Sequence, residues 1–332
     1  MTTIDNLTPT INANLLGSPE PNTANWYGLR RRGITATDLP KILGLSQYGN
    51  ALSVWHDKLG QLPADDLSEA GQWGHLLEDV VAQEWARRND RTVSRVGVLQ
   101  SLVEPWQLAS CDRLIDGRNA ALEVKTRSAY VAGKWRDDIP DDVLAQVAWQ
   151  RMVGQFDYVD VACLIGGQQL VSYRYEQDSE LEDYLSATAD RVWMGVKTGE
   201  PPPVDMDSVL IKLLDRLYPD RSGVKEIGHI EAASLLLAYS DAAGMEKVAK
   251  EAKASAKAMI LAVMGDAEVL TLEAGDDAPL FTYRAQTRHS ISVNDLEDND
   301  IGLYYEALVG GHITTSTSRV LRTGKGAKDV DA

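Results

Sequence analysis

The stretch that most limits the possible folds is "LASCDRLIDGRNAALEVKTRS", residues 108–128. Two apolar-rich runs flank Asp116-Gly117-Arg118-Asn119, a group of residue types suited to a tight reversal between antiparallel strands. In the second run, side chains two apart share a face, so Glu123 and Lys125 lie on one side and Leu122 and Val124 on the other. The reversal brings Asp112 beside Glu123. Two carboxylates and an ammonium then converge, a set suited to a hard divalent cation and a water. The competing interpretation is an exposed Glu–Lys face on an amphipathic strand.

The surrounding pattern predicts alternating helices and strands. Helices are expected from Thr37 or Asp38 to Gly44, over 52–59, 68–89 and 141–153, and over 179–197; strands over 92–98, 107–115, 120–126, 158–165 and 169–176. Gly166-Gly167-Gln168 marks a hairpin between the last two strands. The fold class is therefore α/β, a mixed sheet flanked by helices. Residues 1–22, polar and punctuated by Pro9, Gly17, Pro19 and Pro21, form a loosely held arm. The core runs from 23 to 205, and Gly199 with Pro201-Pro202-Pro203 marks its end. The extension 206–332 holds an Ala- and Lys-rich helical stretch at 229–264, read as two antiparallel helices broken near Gly244. Short strands between 268 and 288 and a polar tail, 324–332, follow.

Composition narrows the class. The chain has 332 residues, a net charge of −16 and two cysteines, Cys111 and Cys163. Two cysteines exclude a four-cysteine iron–sulfur cluster within one chain and fit a reducing, cytoplasmic setting. No apolar run is long enough to cross a bilayer, so no membrane association is expected. The acidic balance argues against a broad non-specific nucleic-acid surface but leaves room for a local basic channel.

Three further elements carry chemistry. In "GQWGHLLEDVVAQEW", Trp73, Leu76, Leu77, Val80, Val81 and Trp85 recur at helical spacing; Glu78 lies at the edge of that stripe and Glu84 nearer its middle. Geometry does not choose between the two as a third oxygen donor. In "WYGLRRRGITATDLPKILG", Arg30 and a Thr-rich helix start offer a phosphate site, with Thr35 or Thr37 donating a hydroxyl. A plain cap at Thr37 or Asp38 explains the same residues. Gln146 and Gln150 sit one helical turn apart; such amides orient a water or a carboxylate, although paired glutamines on a helix are usually polar surface.

Taken in order, these elements resemble the YqaJ-type viral recombinases, the lambda-exonuclease-like branch of the PD-(D/E)XK nucleases. The matching text is "RRRGITATDLPKILGLSQY", "WGHLLE", "SCDRLI", "LEVKT", "AQVAWQ" and "VWMGVKTGEPPP". The resemblance implies a restriction-endonuclease-like core that digests double-stranded DNA from 5′ ends with Mg²⁺, Mn²⁺ substituting, and leaves 3′ single strands. It assigns metal carboxylates to Asp112 and Glu123, with Glu78 and the Val124 carbonyl as further ligands. Lys125 and Gln146 become catalytic, and Arg30 and Thr37 bind phosphate. It also implies a trimeric ring, a single-strand annealing partner, and a phage or prophage protein acting in a bacterial cytoplasm. Rival functions are an endonuclease or nickase on the same core and a non-catalytic DNA-end-binding protein. Departures from the family pattern are Cys111 where proline is usual, Arg113 where glycine is frequent, and Thr37 in place of serine. The closing "HITTSTSRVLR" resembles the end of longer members.

Overall fold

Asp112 lies where the chain passes from one sheet into another, and the fold is best followed around that break. The computed structural model describes residues 11–63, 68–203, 208–220, 222–270, 280–285 and 301–310. The chain divides into two compact units, Met1–Arg221 and Ser222–Ala332.

The first unit contains strands β1 (Asn14–Gly17), β2 (Ile34–Thr35), β3 (Val93–Ser94), β4 (Val98–Gln100), β5 (Gln107–Ser110), β6 (Arg113–Ile115), β7 (Ala120–Arg127), β8 (Tyr158–Ile165) and β9 (Gln169–Glu176). Its helices are α1 (Ala24–Arg30), α2 (Leu39–Ile42), α3 (Ala51–Lys58), α4 (Glu69–Arg88), α5 (Asp141–Gly154), α6 (Ser179–Thr198) and α7 (Ser208–Leu217). A 3₁₀ turn, Ala36–Asp38, precedes α2. One sheet has the order β1-β4-β5-β2 and the other β3-β6-β7-β8-β9. Both mix parallel and antiparallel pairs, and helices pack against them, so the mixed α/β expectation holds.

The single strand expected over 107–115 is two strands in two sheets, and so is the one expected over 92–98. At Asp112 the reason is visible. β6 pairs antiparallel with β7 through Arg113↔Leu122, and a continued ladder would set Cys111 against Val124. The Asp112 carboxylate instead accepts the Val124 N–H at 2.7 Å, so a side chain replaces the main-chain acceptor and the strand ends. The reversal after β6 follows the predicted residues, with Gly117 at φ +70°, a conformation that favours glycine.

Helix α4 corrects a second expectation. Val81, Ala82, Trp85 and Ala86 pack with Ile115, Ala120, Leu122, Val124 and Ala162, whereas Trp73, Leu76 and Val80 are exposed. At 100° per residue, Gly74, Glu78, Val81 and Trp85 fall on one line facing the sheet, and Trp73, Leu76 and Val80 lie opposite. The helix is apolar on two sides, which reads in sequence as one broad stripe. Helix α5 is buried on most sides and packs against β4, β5, β7 and β8 as well as α2 and α6. The main core surrounds it, with Val147, Ala148, Trp149 and Val153 at 0% exposure.

Three smaller corrections concern the ends. Part of the expected N-terminal arm is ordered: β1 pairs with β4 through Leu15↔Leu99, and α1 follows, capped by the Thr23 hydroxyl accepting from the Trp26 N–H. Helical structure starts earlier than expected, with Thr35 capping the 3₁₀ turn, while Asp38, one of the two expected caps, is the N-cap of α2. In the second unit, α8 (His229–Met264) is one continuous helix of 36 residues, not two broken near Gly244. A helix-interior glycine costs about 1 kcal/mol relative to alanine, which a long Ala-rich helix tolerates. A two-stranded ribbon pairs Val269–Leu270 with Phe281–Thr282, and a helix spans Ile301–Val309. The predicted tail, the closing segment and the boundary at 206 lie outside the described residues. Among the described residues, no helix is long and apolar enough to cross a membrane.

Candidate active site

Strand β7 separates two environments by its alternation. Leu122 and Val124 face α4, and Glu123 and Lys125 face α5. The exposed Glu–Lys face considered above is not what forms, because Glu123 is only 3% exposed. An ionised group buried to that degree needs partners, and Glu123 has three. Lys125 Nζ donates to Oε1, Gln146 Nε2 donates to Oε1 at 2.6 Å, and Gln150 Nε2 donates to Oε2 at 2.7 Å. Lys125 Nζ also donates to Gln146 Oε1 at 2.9 Å, which closes a ring of three side chains.

Of the two roles open to Gln150, polar surface or holder of a carboxylate, the structure shows the second: its side chain is fully buried. Its amide also donates to the Ser110 carbonyl at 2.8 Å, tying the end of β5 to the same carboxylate. Its Oε1 is buried without a hydrogen-bond partner. The available signal was helical spacing: Gln146 and Gln150 fall between Trp149 and Val153 on one side and Val143 and Val147 on the other, which leaves them no solvated face.

Asp112 sits across from Glu123 as the hairpin predicts. Its carboxyl is pushed well above the usual carboxylate range, first by burial and then by the negative charges of Glu123 and Glu78. Lys125 and the Val124 N–H only partly counter this. Cys111, beside it, is buried with its thiol pushed up by burial and by the charges of Glu123 and Asp112, so the proline-to-cysteine departure adds a packing group rather than an anionic thiolate.

The other departure matters more. Arg113 is 2% exposed, and its guanidinium donates to Glu78 Oε1 at 2.6 Å, to Asp79 Oδ1 at 2.8 Å and to the Asp112 carbonyl at 2.5 Å. Glu78 therefore faces the sheet, as the helical line through Gly74 and Val81 requires. Glu84 faces solvent, where Arg87 and Arg88 bind it and hold its carboxyl down at about 2.

The upstream motif forms a second polar cluster. Arg30 donates to Thr35 Oγ1 at 2.9 Å and to Thr37 Oγ1 at 2.6 Å and stacks on Trp26 with 4.4 Å between the guanidinium carbon and the ring centre. Asp38 accepts from the Thr35 N–H and hydroxyl and pairs with Lys58 at 2.6 Å, both side chains almost fully buried. Burial alone would raise the Asp38 carboxyl. Lys58, Arg30 and Lys41 more than offset it, and the group lies well below its ordinary range. Lys58 also donates to the Arg30 carbonyl at 3.0 Å, so a buried ion pair fixes the segment that presents Arg30. Because β2 runs parallel to β5 with Thr35↔Leu108, this cluster and Asp112 both follow the carboxyl ends of neighbouring strands. Helix α5 packs against both segments.

Half-buried Asp112 and buried Glu123 share the one ammonium of Lys125, while Arg113 is taken up by Glu78 and Asp79. An excess negative charge in a buried polar site suits a hard divalent cation held by a few carboxylates and waters. The three-carboxylate set implied by the resemblance is not assembled. Among the described residues, no three His, Cys, Asp or Glu side chains are grouped to hold a metal. Asp112 and Glu123 fit such an ion; Glu78 is turned to Arg113.

The family model for the YqaJ-like viral recombinase domain matches residues 25–157, a span containing every residue of both clusters. The uncharacterized protein YqaJ of Bacillus subtilis (strain 168) is 34% identical over 221 residues, covering 64% of this chain and 69% of that protein. Among solved structures, an alkaline exonuclease from Laribacter hongkongensis is 16% identical with a TM-score of 0.47, covering 54% of this chain and 94% of that one. A phage related exonuclease from Haemophilus somnus 129PT is 11% identical with a TM-score of 0.41, covering 52% and 96% respectively.

Proposed function

This chain belongs to the YqaJ-like viral recombinase family, and from that premise we propose that it is a metal-dependent DNA exonuclease. In this reading it resects double-stranded ends 5′→3′ and leaves 3′ single strands for a strand-annealing partner. The observation that carries the reading is the pair of half-buried Asp112 and buried Glu123, with Lys125 Nζ and two amides gathered on the Glu123 carboxylate.

Asp112 and Glu123 would hold Mg²⁺, or Mn²⁺ in its place, with the Val124 carbonyl beside them. The ion would supply a more acidic bound water and offset charge developing on the phosphoryl oxygens. Lys125 Nζ, held between Glu123 and Gln146, is placed to donate to the attacking water or to a phosphate oxygen as negative charge grows. Gln146 aligns both partners: its amide donates to Glu123 while its oxygen receives Lys125. Gln150 holds the opposite Glu123 oxygen, so the carboxylate cannot rotate away.

Arg30 would grip a phosphate of the DNA end. Its guanidinium is already oriented by Thr35 and Thr37, and the planar fork suits bidentate phosphate contact. A net charge of −16 favours confining DNA contact to such a local site. Assembly as a ring of three copies and action in the bacterial cytoplasm belong to the same proposal.

Incubation of linear and covalently closed circular duplex with the protein and Mg²⁺ tests it. Loss of the linear DNA with persistence of the closed circle is expected. Cutting of the circle would point to an endonuclease or nickase, and end binding without nucleotide release to a non-catalytic protein.

A further inference from the structure

Arg113 follows Asp112 directly, yet its guanidinium turns away from the Glu123 side of β7 toward α4. Resting on the reading that Asp112 and Glu123 bind a divalent cation, we propose that Arg113 is the fixed counter-charge of Glu78, so that this chain's cation site uses two carboxylates and Glu78 stays outside it.

Three observations combine. Glu123 leaves β7 on the α5 side, whereas Glu78 belongs to α4, which packs on the opposite face. Arg113 is 2% exposed and permanently charged, so it needs a close anionic partner, and Glu78 Oε1 at 2.6 Å is the better buried of the two carboxylates it touches. Asp79, the other, is 56% exposed at its side chain and so is screened by water. If Glu78 turned to a cation, a buried guanidinium would keep only that screened partner and a carbonyl. The same guanidinium donates to the Asp112 carbonyl at 2.5 Å, so it also sets the main chain of one metal carboxylate. Arg113 is thus a positioning residue, acting through Glu78 and Asp112.

Calorimetric titration of the DNA-free full-length protein with Mn²⁺ separates the possibilities. Wild type is expected to bind with Glu78→Gln within about threefold of its affinity, and Glu123→Gln weakened by about tenfold or more. Arg113→Gln, which releases Glu78, is expected to tighten Mn²⁺ by about threefold or more, and Glu78→Gln in the same chain to remove that gain. A loss of about tenfold or more in Glu78→Gln alone, with Glu123→Gln also weakened, overturns the inference but leaves the cation site standing. Unchanged affinity in Arg113→Gln overturns the counter-charge role. Wild-type affinity in Glu123→Gln sinks the cation site itself, and this inference with it.

Discussion

Gln150→Leu removes the one member of the Glu123 clamp that also anchors β5. The substitution keeps size and removes two donated bonds, to Glu123 Oε2 at 2.7 Å and to the Ser110 carbonyl at 2.8 Å. A bond to a charged acceptor contributes about 1.5–3 kcal/mol and one to a carbonyl about 1 kcal/mol. Leucine also eliminates the unpartnered Oε1, which returns about 1 kcal/mol or more. The net loss is about 2 kcal/mol. At about 2–4 °C per kcal/mol for a unit of this size, Tm falls by about 4–8 °C. Glu123 Oε2 is freed at the same time, so kcat for nucleotide release is expected to fall about tenfold while KM for DNA ends, set by Arg30, stays level. Thermal unfolding in EDTA followed by circular dichroism gives the first number, and acid-soluble nucleotide release gives the second. A Tm within about 1 °C of wild type together with unchanged kcat would refute the clamp.

Asp112→Asn should raise Tm of the metal-free protein at pH 7 while abolishing nucleotide release. A carboxyl whose folded pKa is raised opposes folding once the pH exceeds its ordinary value, and asparagine keeps the acceptor for the Val124 N–H; a lower Tm contradicts this. Lys58→Met should cost about 3–5 kcal/mol at pH 7, because it strands the buried Asp38 carboxylate. Asp38 has a lowered folded pKa, so the pair's stabilisation is full above the ordinary carboxylate range and fades as the pH falls below it. Denaturant melts of the two proteins should therefore differ most at pH 7 and less at pH 3, without converging there, because the native Asp38 carboxyl titrates well below that pH. Lys125→Ala should reduce cleavage by about a thousandfold or more yet leave Mn²⁺ affinity within about threefold, measured by nucleotide release and calorimetry; full activity contradicts the role given to Lys125.

What could be read from the chain alone was what local rules govern. The Asp116–Asn119 reversal, the face alternation of β7 and the bounds of β8 and β9 follow from period-two patterning and turn residues. What could not be read depends on contacts distant in sequence. The strand break at Asp112 arises because its side chain, not its main chain, meets Val124. Gln150 owes its burial to Ser110 and Glu123, at separations of 40 and 27 residues. Arg113 looked like a departure from a glycine and proves to join α4 to the hairpin. The choice between Glu78 and Glu84 was hidden by Trp73, Leu76 and Val80, a second apolar face that sequence periodicity merged with the packed one. The fold was therefore more legible than the site, whose partners come from four separate segments.

The central claim, a metal-dependent exonuclease working from 5′ ends, is tested most directly by a linear duplex labelled at either the 5′ or the 3′ terminus, with and without a 5′ phosphate. With Mg²⁺, the account predicts early release of the 5′ label, retention of the 3′ label, and faster release when the 5′ phosphate is present for Arg30 to grip. Early release of the 3′ label, or release of neither while the protein remains bound to the ends, would contradict it.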